Sequence, residues 1–160
     1  MIRKGLLLFG LAILACSCGV QPIEKFDKIK DMTWKVNEPS QFTIDIKDTG
    51  RYLALIQLRY TQNYSFSNIW VGLNEKKPDG KEEKTRFNIP LFDLSGRPFG
   101  ASTGKLFDRG YPDDNIEGKD IGLTFQFPKP GPYVLTLTQQ MRPDELPGIA
   151  ETGIRLVKLK

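Results

Sequence analysis

The chain has 160 residues, 39% of them hydrophobic and 26% charged, which argues against disorder and is enough for one domain with a sizeable core. It contains no histidine, which excludes a Ser-His-Asp triad, a Cys-His dyad and any histidine-ligated metal site. The net charge is +4, or +2 once Arg3 and Lys4 are set aside with the N-terminal export signal, and basic and acidic residues alternate without the clustered stripe that nucleic acid requires.

Arg3 and Lys4 precede an uncharged apolar run from Gly5 to Ala15, the pattern of a signal peptide and shorter than the roughly 20 residues of a membrane span. The run ends in Leu14-Ala15-Cys16-Ser17-Cys18-Gly19. Small residues just before a cysteine suit a lipoprotein signal peptidase, which leaves that cysteine as an acylated N-terminus. Cys18 is the expected site and Cys16 the alternative, because bulky Leu14 lies two places before Cys16. Residues 1–17 are thus expected to be a helical signal peptide and 18–32 a tether, whose Ile23, Phe26 and Ile29 recur every third residue as in a short amphipathic turn. The domain is expected over 33–160.

Beyond the tether the chain reads as strands and turns. In Phe42 to Lys47 the apolar residues fall at every second place, the period of a half-buried strand. Tyr52 to Tyr60 is apolar on both faces, as in a central strand. Ile69, Val71 and Leu73 share a face, and Pro78-Asp79-Gly80 predicts a turn leading to Phe87, Ile89 and Leu91. Ser95 to Gly118 is rich in Gly, Pro, Ser and Asp, and predicts an irregular region with a short strand near Leu106-Phe107. Ile121, Leu123, Phe125 and Phe127 alternate again. The Pro128 to Pro132 turn then leads to Tyr133, Leu135 and Leu137, and a last strand is expected near Gly153 to Leu159. About eight short strands predict an all-β, two-sheet antiparallel sandwich, immunoglobulin-like or jelly-roll-like.

Four phrases stand out. They are Asn63-Tyr64-Ser65-Phe66-Ser67-Asn68, Pro78-Asp79-Gly80, Gln139-Gln140-Met141-Arg142, and Leu146-Pro147-Gly148-Ile149 followed by Gly153-Ile154-Arg155-Leu156. Together with the lipoprotein signal they resemble the GldH family of gliding-motility lipoproteins of the Bacteroidetes, over nearly the whole chain. The resemblance implies a small envelope lipoprotein needed for gliding and linked to type IX secretion, although relatives also occur in Bacteroidetes that do not glide. It implies no catalytic residues, and only the lipidated cysteine carries over with a clear role. No acidic pair follows Cys18 closely. In that phylum such acids often mark exported lipoproteins, so the expected location is the outer membrane, facing the periplasm.

The candidate sites are few. By alternation Trp70 points away from Ile69, Val71 and Leu73, and with Tyr64 and Phe66 it is a candidate platform for a protein or a sugar. Asp108, Asp113, Asp114, Asn115, Glu117 and Asp120 offer hard oxygen ligands, but without the alternation of a calcium loop. Glu82-Glu83 has the look of a solvated strand end rather than a glycosidase pair. Ser-Lys catalysis has no supporting motif, and Arg142 and Arg155 read as ion-pairing side chains. The expectation is a non-enzymatic lipoprotein, with neither metal nor cofactor, that binds envelope proteins and has no nucleic-acid partner. The alternative is a carbohydrate- or peptidoglycan-binding sandwich.

Overall fold

A computed structural model describes residues 21–112 and 123–159. The signal segment, Cys16 and Cys18, and the acidic-loop positions Asp113, Asp114, Asn115, Glu117 and Asp120 lie outside the described residues.

The described residues form an all-β sandwich of antiparallel strands. In chain order come β1 (Ile23–Lys28), β2 (Thr33–Lys35), β3 (Ser40–Ile46), β4 (Gly50–Thr61), β5 (Asn68–Lys76) and β6 (Glu82–Pro90). Then follow β7 (Ala101–Thr103), β8 (Leu106–Tyr111), β9 (Leu123–Phe127), β10 (Gly131–Gln139), β11 (Glu145–Pro147) and β12 (Ile149–Lys158). The larger sheet has the order β1-β12-β4-β8-β7, with β9 also paired to β4. The smaller sheet runs β3-β10-β5-β6, and β11 pairs β2 in a separate ribbon.

The alternation read from the sequence becomes the core. On β3, Phe42, Ile44 and Ile46 are buried while Gln41, Thr43 and Asp45 are exposed. Tyr133, Leu135 and Leu137 of β10 and Ile69, Val71 and Leu73 of β5 bury the same way, so the smaller sheet presents one apolar face. Tyr52, Ala54, Ile56, Leu58 and Tyr60 of β4 face it from the larger sheet. Each fully buried aliphatic or aromatic side chain contributes roughly 1.5–3 kcal/mol. One polar pair crosses this interior: the hydroxyls of Thr152 on β12 and Ser40 on β3 lie 2.7 Å apart, both fully buried.

Two expectations change. Ile23–Lys28, expected within the tether and as a helical turn, is an edge strand paired with β12 along all six residues. Sheet pairing overrides the three-residue spacing: Ile23 and Ile29 pack against the core, while Phe26 lies over Gly153 on the outer face. A Cβ on Gly153 would come within 2.6 Å of the Phe26 ring, so the aromatic takes the space a side chain would fill. Within Ser95 to Gly118, the described part is more regular than expected. β8 pairs β4 over six residues and forms a hairpin with β7, because β9 covers only Gly50 to Ala54 of the long central strand and leaves its far half open.

Candidate functional site

Strand direction gives the sandwich two distinct ends. β1 begins beside Leu156 near the end of β12, and the β3–β4, β5–β6 and β9–β10 turns lie at this same N-terminal end. At the opposite end lie the segments 29–39, 62–67, 91–100 and 140–148.

Five of the six large apolar side chains most exposed among the described residues belong to that opposite end: Met32 at 49%, Val36 at 45%, Phe66 and Phe99 at 37%, and Leu94 at 109%. Their backbones are fixed. The Tyr60 hydroxyl lies 2.5 and 2.6 Å from the carbonyls of Leu91 and Phe99, and burial raises its pKa to about 12, so it stays a neutral donor. Asp93 accepts from the backbone N–H groups of Ser95 and Arg97 at 2.8 and 2.9 Å and pairs with the Arg97 side chain. Those bonds, the Arg97 backbone N–H foremost, hold its carboxyl below the usual range and brace the turn that carries Leu94. Buried Gln139 donates through its amide to the carbonyls of Pro143 and Asp144 and accepts from Met141 N–H at 2.8 Å. Gly148, in the left-handed region at φ 95°, ties the segments together: its N–H donates to Met32 O and its carbonyl accepts from Thr61 N–H. A Cβ there would stand 2.9 Å from the Tyr64 backbone. Apolar side chains on braced loops need little ordering to bind, which favours association.

The residues singled out in the sequence are not gathered into one exposed platform. Tyr64 is 5% exposed, and its hydroxyl donates to Asn68 O at 3.0 Å, so it is a core residue. Phe66 packs edge-on against it at 5.7 Å. Trp70 does face outward, but the Arg86 guanidinium lies 4.2 Å over its ring and the 140–141 segment adjoins its backbone. Arg155 pairs with Glu24 at 3.1 Å, Arg142 is exposed, and Asp108 pairs with Arg59. Glu83 engages Lys77 and Glu82 accepts from Asn74, as solvated strand-end residues do.

Two depressions of about 290 Å³ each lie away from the apolar end. One, on the outer face of the larger sheet, is lined by Arg59 between Asp108 and Glu151 and by the Arg155–Glu24 pair. Both guanidinium groups are paired, and the three carboxylates Glu24, Asp108 and Glu151 leave one net negative charge. The other lies between β5, β6 and β9 and contains Glu75, which is 3% exposed with Oε1 lacking a hydrogen-bond partner. Burial pushes the Glu75 carboxyl above its usual pKa, against the opposing pull of Lys77.

A family profile described as GldH lipoprotein matches residues 21–156, from before β1 to nearly the end of β12. The chain belongs to the GldH lipoprotein family. No curated protein matches it. Among solved structures, "Structure of infectious bursal disease virus Gt strain" is similar over 98% of this chain and 36% of that one, so the chain spans about a third of its length. The identity is 10% and the TM-score 0.31.

Membership of the GldH lipoproteins gives the protein a membrane-anchored envelope location. It also supplies a context for the apolar end, which the sequence did not reveal. Met32, Val36, Leu94 and Phe99 have no shared period, and only the tertiary arrangement shows that their side chains stay in water. The one sequence signal was the clustering of Gly and Pro around Leu94 and Phe99, which marks a loop in which an apolar residue lacks a strand's buried face.

Proposed function

We propose that this protein is an outer-membrane lipoprotein, facing the periplasm, that supports gliding motility or the associated type IX secretion machinery by binding other envelope proteins, without chemistry of its own. Family membership supports the setting, and acyl chains on Cys18 serve as the anchor. The observation that carries the binding role is the braced apolar end, with Met32, Val36, Phe66, Leu94 and Phe99 exposed on interlocked loops. Carbohydrate binding through Tyr64, Phe66 and Trp70 has weaker support, because Tyr64 is buried and Arg86 occupies one face of Trp70.

The test is deletion of the gene in a gliding host, complemented by wild type or by a Leu94→Asp/Phe66→Asp variant. Colony spreading, secreted proteins and whole-cell cross-links are then scored. Wild type restores spreading and a cross-linked partner, whereas the variant reaches the membrane at normal levels and restores neither. Normal spreading and secretion in the deletion strain would overturn the proposal.

A further inference from the structure

The N-terminal end of the sandwich differs from the apolar end in charge. Its segments 47–51, 76–83, 128–130 and 158–159 hold seven basic and four acidic residues, a net charge of +3. The opposite segments 29–39, 62–67, 91–100, 104–105 and 140–148 hold five of each and are neutral. Lys77 is engaged by Glu83 and Lys81 lies 3.9 Å from Asp79, and the further cations of these described segments are Lys47, Arg51, Lys76, Lys129 and Lys158.

These cations sit on turns that touch. The Tyr52 hydroxyl donates to Asp48 O at 2.7 Å and that of Tyr133 to Lys129 O at 3.0 Å, which pins the turns bearing Lys47 and Lys129. Ile46 pairs with Gly131, and Pro78 lies against the space a Gly131 Cβ would occupy. Leu159 N–H donates to Arg51 O at 2.9 Å, and Lys158 Cε approaches Gly50. The basic groups therefore share one surface.

The anchor reaches the same end. Ile23 opens β1 there, and four residues separate it from Cys18, a reach of about 17 Å over the five Cα-to-Cα steps when extended. With Cys16 acylated, the reach is still only about 24 Å. Either tether is shorter than the roughly 33 Å of the ten-residue β12, so the domain can lie on its side or stand on this end.

We propose that the lysine-bearing turns at the N-terminal end form a seating surface for anionic lipid headgroups. Seated there, the domain stands upright with its apolar loops directed away from the bilayer. The proposal rests on the lipoprotein reading. Three net charges at a surface potential of about −30 mV weight the seated orientation by up to about thirtyfold, and salt screens the effect.

The test uses the mature, acylated protein reconstituted into vesicles of phosphatidylcholine alone or with about a third phosphatidylglycerol, a fraction that gives an anionic surface. Flotation with the vesicles reports anchoring separately. Lysines are then acetylated with a water-soluble reagent and read by mass spectrometry. Lys47, Lys81 and Lys129 are expected to react about tenfold more slowly on anionic than on neutral vesicles. Lys30, Lys35 and Lys105, at or beside the opposite end, are expected to react equally on both. High salt should erase the protection, and a Lys47→Glu/Lys81→Glu/Lys129→Glu variant should lose it at Lys158 with an unchanged melting temperature. Failure to float overturns the lipoprotein reading and the proposal with it. Flotation with equal reactivity at both ends, or protection of Lys30 and Lys35 instead, overturns the seating surface alone.

Discussion

Replacing Glu75 is expected to stabilise the protein at neutral pH. The side chain projects from β5 between Leu73, Thr85, Leu123 and Phe125, is 3% exposed, and keeps one carboxylate oxygen without a partner. Leaving a buried polar group unsatisfied costs about 1–3 kcal/mol, more when it is charged, and a leucine of similar volume removes that cost. Glu75→Leu should therefore gain about 1–3 kcal/mol at pH 7, or roughly 3–10 °C in Tm for a domain of this size. The pH dependence has a definite sign. Burial raises the folded-state pKa of Glu75, so the folded chain holds this proton more tightly than the unfolded one. The resulting stabilisation is present below the unfolded carboxyl value of 4.5 and is lost as pH rises through the folded value. The advantage of Glu75→Leu or Glu75→Gln over wild type should accordingly be small near pH 4 and grow towards pH 7. Urea unfolding followed by tryptophan fluorescence at both pH values measures it. A Glu75→Leu protein less stable than wild type at pH 7, or an advantage that shrinks with rising pH, would refute the reasoning.

The interior hydroxyl pair makes a second prediction. Thr152→Val or Ser40→Ala alone should cost about 1–2 kcal/mol, and the double substitution clearly less than the sum, as a denaturation double-mutant cycle would show. Arg59→Met should lose about 1 kcal/mol, and the difference should shrink at high salt, because its partners Asp108 and Glu151 are only partly buried. Leu94→Asp should change stability by less than about 0.5 kcal/mol while reducing partner cross-linking, since the side chain is fully exposed. Mass spectrometry of the mature N-terminus should find the acyl groups on Cys18, and Cys18→Ser should release the protein from the membrane fraction.

Strands buried on one face were legible because their period is a local property. β3, β5, β9 and β10 alternate, and β4 is apolar on both sides. β1 and β7 were not legible, because what makes them strands is an open neighbour. Glu24, Lys25, Asp27 and Lys28 have no strand preference of their own, yet they close the edge of β12, and their charges discourage another chain from pairing there. The same distinction governs the sites. The outward direction of Trp70 followed from alternation, but the Arg86 that covers it comes from the neighbouring strand, where Gly72 pairs with Arg86. Tyr64 looked like a surface aromatic beside Phe66, and only the packing of the 61–68 turn against Gly148 shows why it is buried.

The pairing of β1 with β12 has a mechanical consequence. A pull between the lipid and a partner held at the far loops enters the domain at Ile23 and runs along the strand axis. The bonds between β1 and β12 are then loaded in shear, so six residue pairs resist together rather than peeling apart one at a time. Were the anchor joined to the other end of β1, the same tug would unzip the edge strand pair by pair. Antiparallel pairing at the sheet edge thus turns a short N-terminal segment into a tension-resistant clamp.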